Sequence, residues 1–105
     1  MERTIKPSEF ISSNNESTVV LDVRRDNDYN ASGDILPGAQ WKDPTKIDDW
    51  ITSVPKNKQV VIYCVRGGGV SNSVLDRLHT AGINARYIEG GIEGLKDAGG
   101  MVEQK

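Results

Sequence analysis

The sequence holds a single cysteine, Cys64, and a single histidine, His79. One cysteine excludes an intramolecular disulfide, and no C-x-x-C or H-x-x-H spacing offers a zinc site. No metal is expected. The chain also lacks an excess of either charge: 13 basic residues face 15 acidic ones, for a net charge of −2. No basic stripe exists to follow a phosphate backbone, so no nucleic-acid partner is expected. The apolar runs, Thr18–Leu21 and Val60–Tyr63, fall far short of the ~20 residues that cross a bilayer. No membrane partner is expected. The opening residues, Met1 to Thr4, carry no apolar secretory segment, and a cytoplasmic location is expected.

What is present fits an ordinary folded domain. Apolar residues make up 36% and charged residues 27% of the chain, a balance that supports a core and a solvated surface. At 105 residues a single domain over 1–105 is expected, with a frayed tail from about residue 99. No internal repeat or low-complexity segment interrupts it.

Thr18–Val23 and Gln59–Cys64 are β-branched and apolar almost throughout, the pattern of strands buried on both faces. Ala85–Ile88 is a third strand and Ala39–Trp41 a short fourth. Helical patterns lie between them. Pro7–Ile11 has Ser8 as an N-cap or early helical residue. Ile47, Trp50 and Ile51 share one helical face at i, i+3 and i+4. Ser71–Ala81 places Val74, Leu75 and Leu78 on one side, and Gly82 stands where a helix C′ glycine belongs. Gly33–Gly38 reads as a loop, and Lys56–Lys58 as a polar turn. Strands alternating with helices predict an α/β fold: a small parallel sheet flanked by helices on both faces.

Ligands of such sheets bind outside the carboxyl ends of the strands. Cys64 is read as the last residue of the best strand. It is followed by Val65, Arg66, Gly67, Gly68, Gly69 and Val70, and then by Ser71, which reads chiefly as the N-cap of a helix, with a hydroxyl that could also face the substrate. Consecutive glycines let the backbone turn its N–H groups inward as an anion-binding nest. The helix adds its positive end. Such a loop stabilises both a thiolate and an anionic substrate beside it, with Arg66 as its one cation. The alternative is an inert buried cysteine. Strand-end position and the glycine run favour the nucleophile.

Three segments in this order resemble the rhodanese homology domain. The first is Leu21, Asp22, Val23 and Arg24, followed by Tyr29, Gly33, Ile35, Pro37, Gly38 and Ala39. The second is Tyr63 and Cys64 with the glycine loop and its helix. The third runs Tyr87, Ile88, Glu89, Gly90, Gly91, Ile92. The resemblance implies a rhodanese-like fold and a sulfurtransferase that needs no metal or organic cofactor. Cys64 would take sulfane sulfur from thiosulfate or a persulfide or polysulfide donor as a persulfide, and pass it to a thiol or cyanide. With no second cysteine, the acceptor is external. Donor and acceptor are small molecules or proteins.

The chain departs from the family pattern at several points. The family loop reads Cys-x-x-Gly-x-Arg-Ser. Here Gly67 matches the glycine, Gly69 stands at the arginine position, and Ser71 comes one residue late. The added length resembles the Cys-x5-Arg loop of dual-specificity phosphatases, but Val70 occupies the arginine place. An oxyanion enzyme acting on phosphate or arsenate is therefore the weaker alternative. A catalytically weak sulfur carrier or redox-sensing module is the nearer one. Asp34 replaces a family histidine, and Leu95 a tryptophan. Asp22 and Arg24 are expected as a structural ion pair near the site, His79 as a surface residue, and Trp41, Trp50 and Tyr63 as packing residues.

Overall fold

The computed structural model describes residues 3–13, 17–66 and 68–105. The strands are β1 (Thr4–Ile5), β2 (Thr18–Asp22), β3 (Asp34–Ile35), β4 (Gln40–Trp41), β5 (Gln59–Tyr63), β6 (Ala85–Ile88) and β7 (Glu103–Gln104). The α-helices are α1 (Pro7–Ser13), α2 (Asp26–Ala31), α3 (Ile47–Trp50), α4 (Gly69–Thr80) and α5 (Gly91–Asp97). Short 3-10 turns, Pro44–Lys46 and Ile51–Ser53, flank α3.

The main sheet has the order β1-β6-β5-β2-β4, with every pairing parallel. This is the α/β architecture expected from the alternating pattern. In β5 successive side chains leave on opposite faces. Val60 and Ile62 join Val74, Leu75 and Leu78 of α4, together with Ile47 and Trp50 of α3. Val61 and Tyr63 join Phe10 of α1 and Ile92 and Leu95 of α5. Two separate cores explain why the strand has no polar side. Each fully buried aliphatic side chain contributes about 1.5–3 kcal/mol.

Helix α4 ends as the sequence indicates. Gly82 takes a left-handed φ of +81°. Its N–H donates to His79 O at 3.0 Å, and the Ile83 N–H donates to Leu78 O at 3.0 Å, a Schellman motif. His79 does more than face solvent, because its Nε2 lies 2.8 Å from Ala85 O and ties α4 to β6.

Two expectations are corrected. Strand β5 closes at Tyr63, so Cys64 is the first residue beyond the strand. Helix α4 begins at Gly69, ahead of Ser71. In the tail, Glu103 and Gln104 pair antiparallel with Ile35 and Asp34. Among the described residues, no helix is long and apolar enough to cross a membrane.

Candidate active site around Cys64

The base of the loop is fixed by α5. Cys64 O accepts from the Ile92 N–H at 2.9 Å, and Val65 O accepts from the Glu93 N–H at 3.1 Å. The first turn of a helix has N–H groups without intrahelical partners, and these carbonyls satisfy two of them. The approach is so close that Gly91 has no alternative. A Cβ there would lie 2.4 Å from Cys64 O and 2.6 Å from the Val65 carbonyl carbon, and φ is +63°.

The thiol of Cys64 is free and nearly buried, at 8% exposure. Its Sγ accepts a hydrogen bond from Ser71 Oγ at 3.1 Å, and Ser71 is wholly buried. Ser71 is thus not the N-cap. It sits in the first turn of α4 with its hydroxyl turned inward to sulfur. The N-cap is Gly68, at φ +132° and ψ −125°, a backbone conformation that side-chain-bearing residues rarely adopt. The helix can therefore start earlier than the serine suggests. Its first ladder bond runs from the Asn72 N–H to Gly68 O at 2.8 Å. The N–H groups of Gly69, Val70 and Ser71 precede that ladder, at the end of the helix that favours negative charge. Gly67 lies outside the described residues.

Asn72 has no counterpart in the sequence reasoning. Its Nδ2 donates to Gly68 O at 3.1 Å, and its Oδ1 accepts from Arg3 Nη2 at 2.9 Å. The side chain braces the turn into the helix. An amide four residues after a glycine is the only signal the sequence carries for it. The remaining loop residues diverge in placement. Val65 is half-buried, and Val70 packs against the α4 core. Arg66 is exposed and lines a shallow groove with Gly90, Glu93, Gly94 and Asp97.

Asp22 and Arg24 form a buried ion pair at 0% and 1% exposure. Arg24 Nη2 meets Asp22 Oδ2 at 2.6 Å, and Arg24 Nε meets Oδ1 at 3.0 Å. Arg24 Nη2 also donates to Asp34 O at 2.8 Å. Burial acts to lower the Arg24 pKa, but the hydrogen bonds and charge of Asp22 outweigh it and hold the guanidinium above its ordinary value. Tyr63, expected as a packing residue, also carries a polar role. Its hydroxyl donates to Asp22 Oδ2 at 2.9 Å and accepts from the Leu36 N–H at 3.2 Å. Burial first, and the Asp22 charge second, push its pKa well above that of a free phenol. The residue that delivers Cys64 is thereby locked to the end of the neighbouring strand. Trp41 completes the shell, donating from Nε1 to Arg24 O at 2.9 Å and stacking on Tyr29 at 4.8 Å between centroids.

Known proteins share this fold. A rhodanese-related protein from Thermoplasma volcanium superposes with a TM-score of 0.85 at 20% identity, covering 99% of this chain and 100% of that one. That likeness is one of fold. A rhodanese-like domain protein from Staphylococcus aureus gives a TM-score of 0.80 at 28% identity, over 99% of both chains. A tRNA 2-selenouridine synthase from Shewanella sp. (strain ANA-3) is 35% identical over 51 residues, 49% of this chain. The match spans only 14% of that longer protein. The sequence profile of the rhodanese-like domain matches residues 7–98. Because that profile covers most of the chain, the chain belongs to the rhodanese-like domain family.

Proposed function

We propose that the chain is a sulfurtransferase that carries sulfane sulfur on Cys64. The observation that carries this reading is the seat of the thiol: just beyond β5, against the first turn of α4, with the Ser71 hydroxyl donating to Sγ at 3.1 Å. A donor to sulfur stabilises the negative charge that Sγ bears as nucleophile and again as leaving group. The helix end contributes about 0.3–1 kcal/mol in the same sense, up to ~2 when partly buried.

The chemistry balances without a cofactor. The Cys64 thiolate attacks the outer sulfur of thiosulfate. The S–S bond of thiosulfate breaks, and sulfite departs with its electron pair. Cys64 is left as a persulfide. Cyanide or a thiolate then attacks the outer sulfur, the Cys64–sulfur bond breaks, and the Cys64 thiolate is restored as thiocyanate or a new persulfide leaves. Intact mass after incubation with thiosulfate or polysulfide tests the proposal. The expected result is one added sulfur, absent in Cys64→Ala and discharged by cyanide. No added mass from either donor would overturn it.

A second reading has its own observation. Gly69, where the family loop has arginine, starts α4 with no side chain to bind an anion. That favours a carrier of low turnover or a redox-sensing thiol. A persulfide that forms and persists in excess cyanide would select it. The phosphatase alternative is weaker still, because Val70 packs on the core at the position where a cation is required. The likeness to the selenouridine synthase is short, and the near-balanced charge of this chain argues against carrying over tRNA as a partner.

A further inference from the structure

The proposed transfer needs an external thiol, because Cys64 is the chain's only cysteine. A groove of about 440 Å³ runs along the N-terminal half of α4 and is lined in part by Gly69, Val70, Ser73 and Val74. Ser71, which holds Cys64 Sγ, lies in the same helical turn as Gly69 and Val70. Arg25 and Arg77 also line the groove, and Ile47 and Val70 supply apolar surface to it. Arg77 is paired with Asp48. Arg25 is exposed and has no side-chain partner among the described residues. Its backbone is fixed, since Arg25 O accepts from the Tyr29 N–H at 2.8 Å and Arg24 before it is buried. No carboxylate is among the lining residues. The groove around Arg66 differs on this point, because Glu93 and Asp97 share it.

We propose that this Arg25 groove is the acceptor subsite and takes a small aliphatic thiol bearing a carboxylate. Its volume lies near the lower end of the roughly 300–1,000 Å³ typical of small-molecule sites, too small for a folded partner. An unopposed guanidinium selects the carboxylate, and the apolar floor accepts the methylenes that link it to sulfur. The inference rests on the sulfur-transfer reading and adds its acceptor class. The acceptor thiolate attacks the outer sulfur of the Cys64 persulfide, the Cys64–sulfur bond breaks, and Cys64 leaves as thiolate. The acceptor departs as a persulfide, with no net oxidation.

The test has two arms, so that the subsite and the transfer reaction fail separately. In the first, 3-(methylthio)propionate, which cannot accept sulfur, is titrated into the unloaded protein while backbone amide NMR signals are followed. Signals of Gly69, Val70 and Val74 are expected to move. Binding should weaken about fivefold to tenfold in Arg25→Gln and in Ser73→Glu, the scale of one charge-assisted contact at an open site. The amine analogue 3-(methylthio)propylamine should not move them. Immobile signals, or equal response to both analogues, would overturn the subsite whether or not Cys64 loads. In the second arm, clearance of the Cys64 persulfide is measured with 3-mercaptopropionate and with neutral 2-mercaptoethanol. Arg25→Gln is expected to raise KM about fivefold to tenfold for the acid alone, with kcat unchanged. Equal effects on both thiols would leave sulfur transfer standing and remove the subsite.

Discussion

Asp22 and Arg24 stand two positions apart in the chain, and their charges meet in the buried interior. A buried pair of this kind is held by geometry rather than by generous net energy, since the desolvation of both groups offsets much of their attraction. Its importance shows when one partner is lost. Asp22→Asn leaves the Arg24 guanidinium buried and uncompensated, and removes the strongest acceptor of the Tyr63 hydroxyl. The expected cost is about 3–5 kcal/mol. Asp34→Asn provides the contrast. Asp34 meets Lys96 at 2.7 Å, but both side chains are about one-third exposed, and such pairs contribute about 0–1 kcal/mol. The Asp34 carbonyl that Arg24 uses belongs to the backbone and survives the change. Urea unfolding of both variants at pH 7 measures the difference. Equal losses would mean that the interior pair does not anchor the strand ends.

Helix α5 joins its glycines to the thiol loop, and the same logic applies to an element rather than a side chain. Gly91→Ala places a methyl against the carbonyls of Cys64 and Val65, all backbone atoms that cannot rotate away. Gly82→Ala at the end of α4 imposes a similar left-handed φ, with nothing within 4 Å of the new Cβ. The second change is expected to cost about 1–2 kcal/mol of backbone strain alone. The first should cost at least ~1 kcal/mol more, and should slow sulfur loading because Cys64 must shift off α5. Chemical unfolding together with the rate of persulfide formation checks both statements; matching stabilities would remove the close-approach argument. The sequence displays little of this helix. Gly91 and Gly94 are poor helix formers, and the element exists because tertiary packing wants a bare backbone there: a Cβ on Gly94 would meet Glu89 O at 2.6 Å. Helix α2 buries no residue and so shows no apolar period, while β1, β3 and β7 are two residues each, too short for a pattern. By contrast β2, β5, β6 and the body of α4 are legible because both faces of the sheet are dry. At the candidate site, the position of Cys64 after a buried strand and the Asp22–Arg24 ion pair are legible by residue type and place. The polar role of Tyr63 is not, because a strand tyrosine reads as packing, and Ser71 is legible only in part, because a serine before a helix reads chiefly as a cap.

At the scale of the whole molecule, stability depends on Tyr63 joining the two strands at the centre of the sheet. Its ring packs in the α5 core, and its hydroxyl reaches Asp22 on β2 and the Leu36 N–H in the segment after β3. Ionising it would create a buried anion beside Asp22, which is why its pKa is raised in the folded state. In the unfolded chain the phenol titrates near 10. Above that pH the unfolded chain releases a proton that the folded one keeps, so the folded state binds more protons and stability falls as pH rises. Below it the contribution is constant and complete. One such group changes stability by about 1.4 kcal/mol per pH unit at most. Lys96, whose pKa is raised chiefly by its hydrogen bond to Asp34, acts in the same direction at alkaline pH, so the absolute slope is shared. The difference between wild type and Tyr63→Phe isolates the phenol. At pH 7 the variant is expected to lose about 1–3 kcal/mol, because Asp22 and the Leu36 N–H each lose a buried partner. From pH 10 upward the gap should narrow, since the variant has no buried phenol to ionise. Unfolding free energies measured from pH 7 to 11 decide the point: coincident curves would show that Tyr63 holds the sheet by its ring alone, with no part for the hydroxyl that links it to Asp22, and offset but parallel curves would show a hydroxyl whose pKa folding does not raise.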